Sequence, residues 1–471
     1  MLEGHSQFPN ASTIERGSDE WWMLRLAKKL GDRLPRIDTN QAWYEGKPPK
    51  PYPDKGGNFD RLQRIANLNP AEIIVNARLH RTMPLACMTA VDDSANGDDV
   101  VNRLFNVNDM PAKFAQILEW MYSLSVSYAM VDYRVPGDPS SGALITAEHP
   151  SQVIVEANPA DPTSPLAALK IMRDDVHDAD MIVLFRPGYT RIARHEGSTI
   201  LPKAGTKRWQ LRPVSWVIED ERTPTATNQV PIFEFPNRSG MAAFEKQIPT
   251  MERINHTILQ RMILIALQAF RQRAVNGAPR HDDDGEEIDY DDIFEADPGA
   301  VWILPKAATL WESSQADFTP VLKAVADDLK YLATMSNTPL DMLAPDSANE
   351  SAAGSDLKRE GIVFDVESTI KHIDGRMRSL ISYALQLQDE TDRADLAGMR
   401  LIWANPRRSS LTERAEAGRA AKQAGVPWKI RMEKFLELTP DEIANAEIQR
   451  SEDAMLAVVA GVEADEDVTG G

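Results

Sequence analysis

PTMERINHTILQRMILIALQAFRQR, Pro249 to Arg273, opens the segment whose reading decides the fold. Ile254, Ile258, Met262, Ile265 and Leu267 recur mostly at three- and four-residue spacing, the period of one helix face. AVNGAPRHDDDGEEIDYDDIFEADPG follows, and from Asp282 to Asp297 it holds ten acids and no base. Thr319-Pro320 then supplies an N-cap and a proline at the first helical position. A second helix is expected from there, with Leu322, Val325, Leu329 and Leu332 on its apolar face. Next comes the small, polar stretch APDSANESAAGSD, Ala344 to Asp356, and behind it an unbroken helical pattern from Ser355 to Gln388. Val363, Val366, Ile370, Ile373, Met377, Leu380 and Ala384 form one stripe along that helix, which Gly361 and Gly375 weaken. Helix, acidic insertion, helix, small-residue loop and long helix is an unusual order for an enzyme domain.

Upstream, WWMLRLAKKL (Trp21 to Leu30) is amphipathic, and GKPPKPYPDKGG (Gly46 to Gly57), with four prolines and three glycines, reads as a connector. Helical patterns follow at Phe59 to Leu68, Ala71 to Met83 and Pro111 to Ser125. From Tyr128 the period changes to that of strands: Tyr128–Val135, Ala143–His149, Gln152–Ala157, Leu166–Arg173, Met181–Arg186, Thr190–Glu196 and Pro231–Phe235. Turn signals such as PGDPSSG and NPADPTSP separate them, which predicts one antiparallel sheet of meander type. Downstream, Gly425-Val426-Pro427 and Thr439-Pro440 punctuate three helices, and the tail EADEDVTGG is expected to be disordered.

The 471 residues exceed one typical core, so two to four structural regions are expected. No apolar run approaches the ~20 residues that span a bilayer, and a partner membrane is not expected. The lone Cys87 cannot form an intrachain disulfide and, within the apolar PLACMTAV, is expected to be a buried thiol. A net charge of −19 argues against a protein that grips nucleic acid, because tight binding needs a basic surface that neutralises phosphates. A net negative wall repels phosphate and removes sticking points; acidic charge that only supplies solubility looks the same in composition.

Several stretches together resemble the portal proteins of tailed bacteriophages, of the type found in siphophages of Gram-positive hosts. They are NPAEIIVNARLHRTMPLACM (Asn69 to Met88), SVSYAMVDYR (Ser125 to Arg134), ITAEHPSQVIVEANPADPTSPLAALKIMRD (Ile145 to Asp174), VPIFEFPNRSG (Val230 to Gly240), ERINHTILQRMILIALQAFRQR (Glu252 to Arg273) and the region from Asn337 to Gln388. The resemblance covers roughly Trp43 to Leu387 and is specific in its order more than in any one motif. It implies an α+β portal fold: an N-terminal arm and α/β wing over 1–248, stem helices over 249–273 and 319–343, and between them a small clip with a β-strand over 274–318. A tunnel loop over 344–356, a long tunnel-loop helix and return to the wing over 357–410 and a short helical C-terminal crown with a disordered tail over 411–471 complete it. The strand of the clip is expected at AVWILP, Ala300 to Pro305.

What the resemblance implies for function is a structural virion protein at one capsid vertex. About twelve copies form a ring through which double-stranded DNA enters during packaging and leaves at ejection. Its implied partners are the terminase large subunit, the major capsid and scaffold proteins and the head–tail adaptor. Stem residues Arg261, Lys323, Asp327, Asp328 and Lys330 are the charged candidates for the lumen, although solvent-facing charge on a plain helix pair has the same pattern. Asp346, Ser347, Asn349, Glu350, Ser351 and Gly354 are the tunnel-loop candidates. Asp282, Asp283, Asp284, Glu286, Glu287, Asp289 and Trp311 are the candidates for meeting the terminase motor, where an acidic ring speeds docking onto a basic surface.

Chemistry is sparse. No G-x-x-x-x-G-K-[ST] and no H-E-x-x-H occurs, so neither an ATP-driven motor nor a zinc hydrolase is expected, and no cofactor. A calcium loop centred on Gly285 fails, because Arg280 falls at the first ligand position and Asp291 at the last. DDVHDAD, Asp174 to Asp180, places four carboxylates beside His177 and imitates a metal-dependent nuclease site. It lies between two expected strands, where a polar hairpin turn is the ordinary explanation. A nuclease, or another structural virion protein, is the alternative to a non-enzymatic channel subunit.

Overall fold

A computed structural model describes the chain except residues 1–4, 54–55, 95, 162–163, 204–208, 270–272, 278–280, 282–284, 286–308, 313–318, 345–351, 408–410, 439 and 461–471. The described residues form an α+β protein of two compact units. The larger comprises Met1–Lys47, Asn69–Lys246 and Met335–Gly471; the smaller comprises Pro48–Leu68 and Gln247–Thr334. No helix among the described residues is long and apolar enough to cross a membrane.

In the larger unit, strand β1 (His5–Gln7) precedes helix α1 (Asp19–Tyr44), whose N-cap Ser18 accepts a hydrogen bond from the Trp21 N–H. The amphipathic WWMLRLAKKL is only the first part of α1. The helix continues past Pro35 because Ile37, Asn40 and Trp43 extend its buried face. Gly31 has a packing reason to sit in a helix interior: a Cβ there would lie 2.0 Å from the Trp209 carbonyl oxygen. Helix α2 (Gly57–Ile65) belongs to the smaller unit; α3 (Pro70–Leu79), strand β2 (Pro84–Met88), α4 (Asp99–Asn108) and α5 (Met110–Leu124) return to the larger. Cys87 is fully buried in β2, and burial first, then the charge of Asp98, pushes its thiol up to about 12.

The expected strands form, but not as one sheet. Strands β3 (Val126–Val135), β4 (Asp138–Glu148) and β11 (Ile232–Pro236) make a three-stranded sheet in the order β11-β3-β4. The meander β5 (Val153–Glu156), β6 (Ala167–Asp174), β7 (Ala179–Arg186) and β8 (Tyr189–Glu196) continues into β9 (Val217–Glu219) and β1, with β10 (Thr223–Pro224) pairing β8. The break lies between Glu148 and Val153. Pro150 has no N–H to give a ladder, and the Arg33 guanidinium takes the carbonyls of Pro150 and Val153. Tyr128 and Ile232 of one sheet then pack with Val155, Ala168 and Phe185 of the other. On the far side of the meander, Met23, Leu26, Leu30 and Leu34 of α1 join Leu169, Ile171, Ile182, Leu184 and Trp216 in the main core.

The smaller unit holds α6 (Ile248–Ala269), the paired strands β12 (Arg273–Asn276) and β13 (Thr309–Glu312), and most of α7 (Thr319–Met335). After it come α8 (Leu340–Leu343) and the 35-residue α9 (Ala352–Gln386) of the larger unit. The α9 stripe is buried at Val363, Val366, Ile373, Met377, Leu380 and Ala384, as its spacing predicts. Strand β14 (Arg400–Trp403) pairs antiparallel with β2, and α10 (Leu411–Gln423), α11 (Trp428–Lys434) and α12 (Pro440–Ala460) supply the three C-terminal helices.

Candidate functional site

The smaller unit collects the elements on which the functional reading turns. Arg253 of α6 meets Asp328 of α7 in a two-bond fork, Nε to Oδ2 at 2.9 Å and Nη2 to Oδ1 at 2.7 Å. The fork geometry suits a guanidinium–carboxylate pair and fixes the two helices in register. Segment 48–68, expected as a connector plus a helix of the N-terminal region, instead joins α6. Asn255 accepts from the Leu68 N–H at 2.9 Å and donates to Asn67 Oδ1 at 2.9 Å. The Tyr52 hydroxyl lies 3.2 Å from His256 Nε2. Arg253, Asn255 and His256 are absent from the sequence-based candidates; the signal for them is polar side chains clustered on one turn of an otherwise apolar helix.

The stem candidates fall into two groups. Asp328 is engaged by Arg253, so its side chain is largely covered. Lys323 and Lys330 are exposed, Lys330 lies 3.5 Å from the half-exposed Asp327 one turn away, and Arg261 is half-buried. Because Arg253 is itself half exposed, a double-mutant cycle of Arg253→Ala and Asp328→Ala is expected to give a coupling of about 0.5–1 kcal/mol. Urea unfolding of the four proteins measures it, and a value near zero removes the pair as a register device.

The apolar faces of α6 and α7 are only partly used. Met251, Ile254 and Leu259 of α6 and Leu332 of α7 are buried. Ile265, Leu322 and Tyr331, by contrast, are 52%, 50% and 61% exposed. Residues read from the spacing as a core face thus lie open at Ile265 and Leu322.

Of the clip candidates, Trp311 sits on β13 opposite Ala274 of β12 and is exposed. Asp282, Asp283, Asp284, Glu286, Glu287 and Asp289, and the strand expected at Ala300 to Pro305, lie outside the described residues. The same holds for Asp346, Ser347, Asn349, Glu350 and Ser351. Gly354, read as part of the loop, is instead in the first turn of α9, which begins at Ala352 because alanine and serine are compatible with the helix and no proline intervenes.

The DDVHDAD cluster is the β6–β7 hairpin turn. Arg173 reaches into it, bonding Asp178 and, at 3.1 Å, Asp180, which also accepts from the Ile200 N–H at 2.6 Å. His177 Nδ1 lies 2.8 Å from Asp174. Asp180 is fully buried beneath this guanidinium, so the space between the carboxylates is filled by a side-chain cation. Among the described residues no group of three or more His, Cys, Asp or Glu is arranged to hold a metal ion.

No protein-family model and no curated protein matches this chain. Among solved structures, the neck of a native GTA particle, computed with C12 symmetry, is similar with a TM-score of 0.45 and 10% identity, covering 94% of this chain and 99% of that one. The neck of an empty GTA particle, computed with C6 symmetry, is similar with a TM-score of 0.45 and 10% identity over 81% and 90% of the two chains. Neither likeness is close enough to assign this chain a role.

Proposed function

We propose that this protein is a phage portal subunit. Copies of it form a closed ring at one capsid vertex, and double-stranded DNA passes through the lumen without sequence-specific contact and without chemistry. The terminase, capsid, scaffold and head–tail adaptor proteins are its partners in this reading, and Trp311 with Asp282, Asp283, Asp284, Glu286, Glu287 and Asp289 is its docking region for the terminase. One observation carries the proposal. The helix pair α6 and α7 leaves Ile265, Leu322 and Tyr331 exposed, whereas α9 buries its own stripe within the chain. In a ring, neighbouring copies would cover the large apolar side chains that a single chain leaves exposed along this helix pair. The chain order that carries the family resemblance supports the same reading, and the net charge of −19 is compatible with it.

The nuclease alternative is weakened by Arg173, which pairs with Asp178 and Asp180 of the DDVHDAD cluster. Incubated with linear and supercoiled duplex DNA and Mg²⁺ or Mn²⁺, the full chain is expected to leave both intact. Metal-dependent cleavage that disappears on replacing Asp174, Asp178 and Asp180 by asparagine would replace the channel proposal with a nuclease.

A further inference from the structure

We draw no further inference here: the strongest candidate, the open face of α7 where the exposed Lys323 and Lys330 stand alongside the exposed Leu322 and Tyr331, belongs to the ring surface already proposed, and nothing in the structure shows what else covers it.

Discussion

Replacing Asp19 by alanine is expected to destabilise the larger unit by about 3 kcal/mol, read as a lower urea midpoint and thermal transition. Asp19 is 2% exposed at the start of α1 and accepts from Tyr189 at 2.8 Å, from Arg191 at 3.1 Å and from Arg222 at 2.9 Å. Removing the carboxylate leaves Arg191 largely covered with its charge less compensated, which is the costly half of breaking a buried pair. Arg222 is half exposed and can turn to water, so the estimate sits at the low end of such losses. Burial alone pushes the Asp19 carboxyl up, but the hydrogen bonds from Tyr189, Arg191 and Arg222 outweigh it and hold the group below its ordinary value. A depressed carboxyl stabilises the fold above the unfolded-state value of about 3.9, and the contribution is lost as pH falls through the lower folded value. The gap between wild type and Asp19→Ala is therefore expected to be flat from neutral pH to about pH 4 and to close below it. A gap that instead widens in acid contradicts the assignment.

Replacing Ile265 and Tyr331 together by aspartate is expected to abolish ring assembly while leaving the single chain folded. Both side chains are exposed on the isolated subunit, so the folding cost is within about 0.5 kcal/mol. At a subunit interface the same change buries carboxylates without partners, which costs several kcal/mol. Each interface is then weakened by roughly 10²–10³-fold, and closure repeats that loss at every contact around the ring. Native mass spectrometry reads the loss of the ring, and circular dichroism the retained fold. Rings of unchanged size place the contact elsewhere and remove the observation on which the portal proposal stands.

Much of this fold is legible in the sequence because its strongest signals are local. The α9 stripe and the Thr319-Pro320 helix start need only nearest neighbours along the chain, and both appear where spacing puts them. Helix α4 escapes because DDVVNRLFNVND is polar overall; its reason to be a helix is Asp98, which accepts from the Val100 and Val101 N–H groups while its other oxygen meets Thr89 and Arg393. Long-range partners are out of reach of pattern reading. Asp19 reads as an ordinary first-turn acid until β8 brings Arg191 to it from 172 residues away. Residues 48–57 read as a connector because proline and glycine dominate them, and only Asn255 and His256 reveal that segment 48–68 packs on α6. The open apolar faces of α6 and α7 look like core in the sequence, since spacing reports which face is apolar and not which molecule covers it.

Negative-stain electron microscopy of the purified full chain, paired with its native mass, tests the central claim most directly. The portal proposal predicts closed rings of about twelve copies around a central hole. A compact small oligomer without a hole would contradict it.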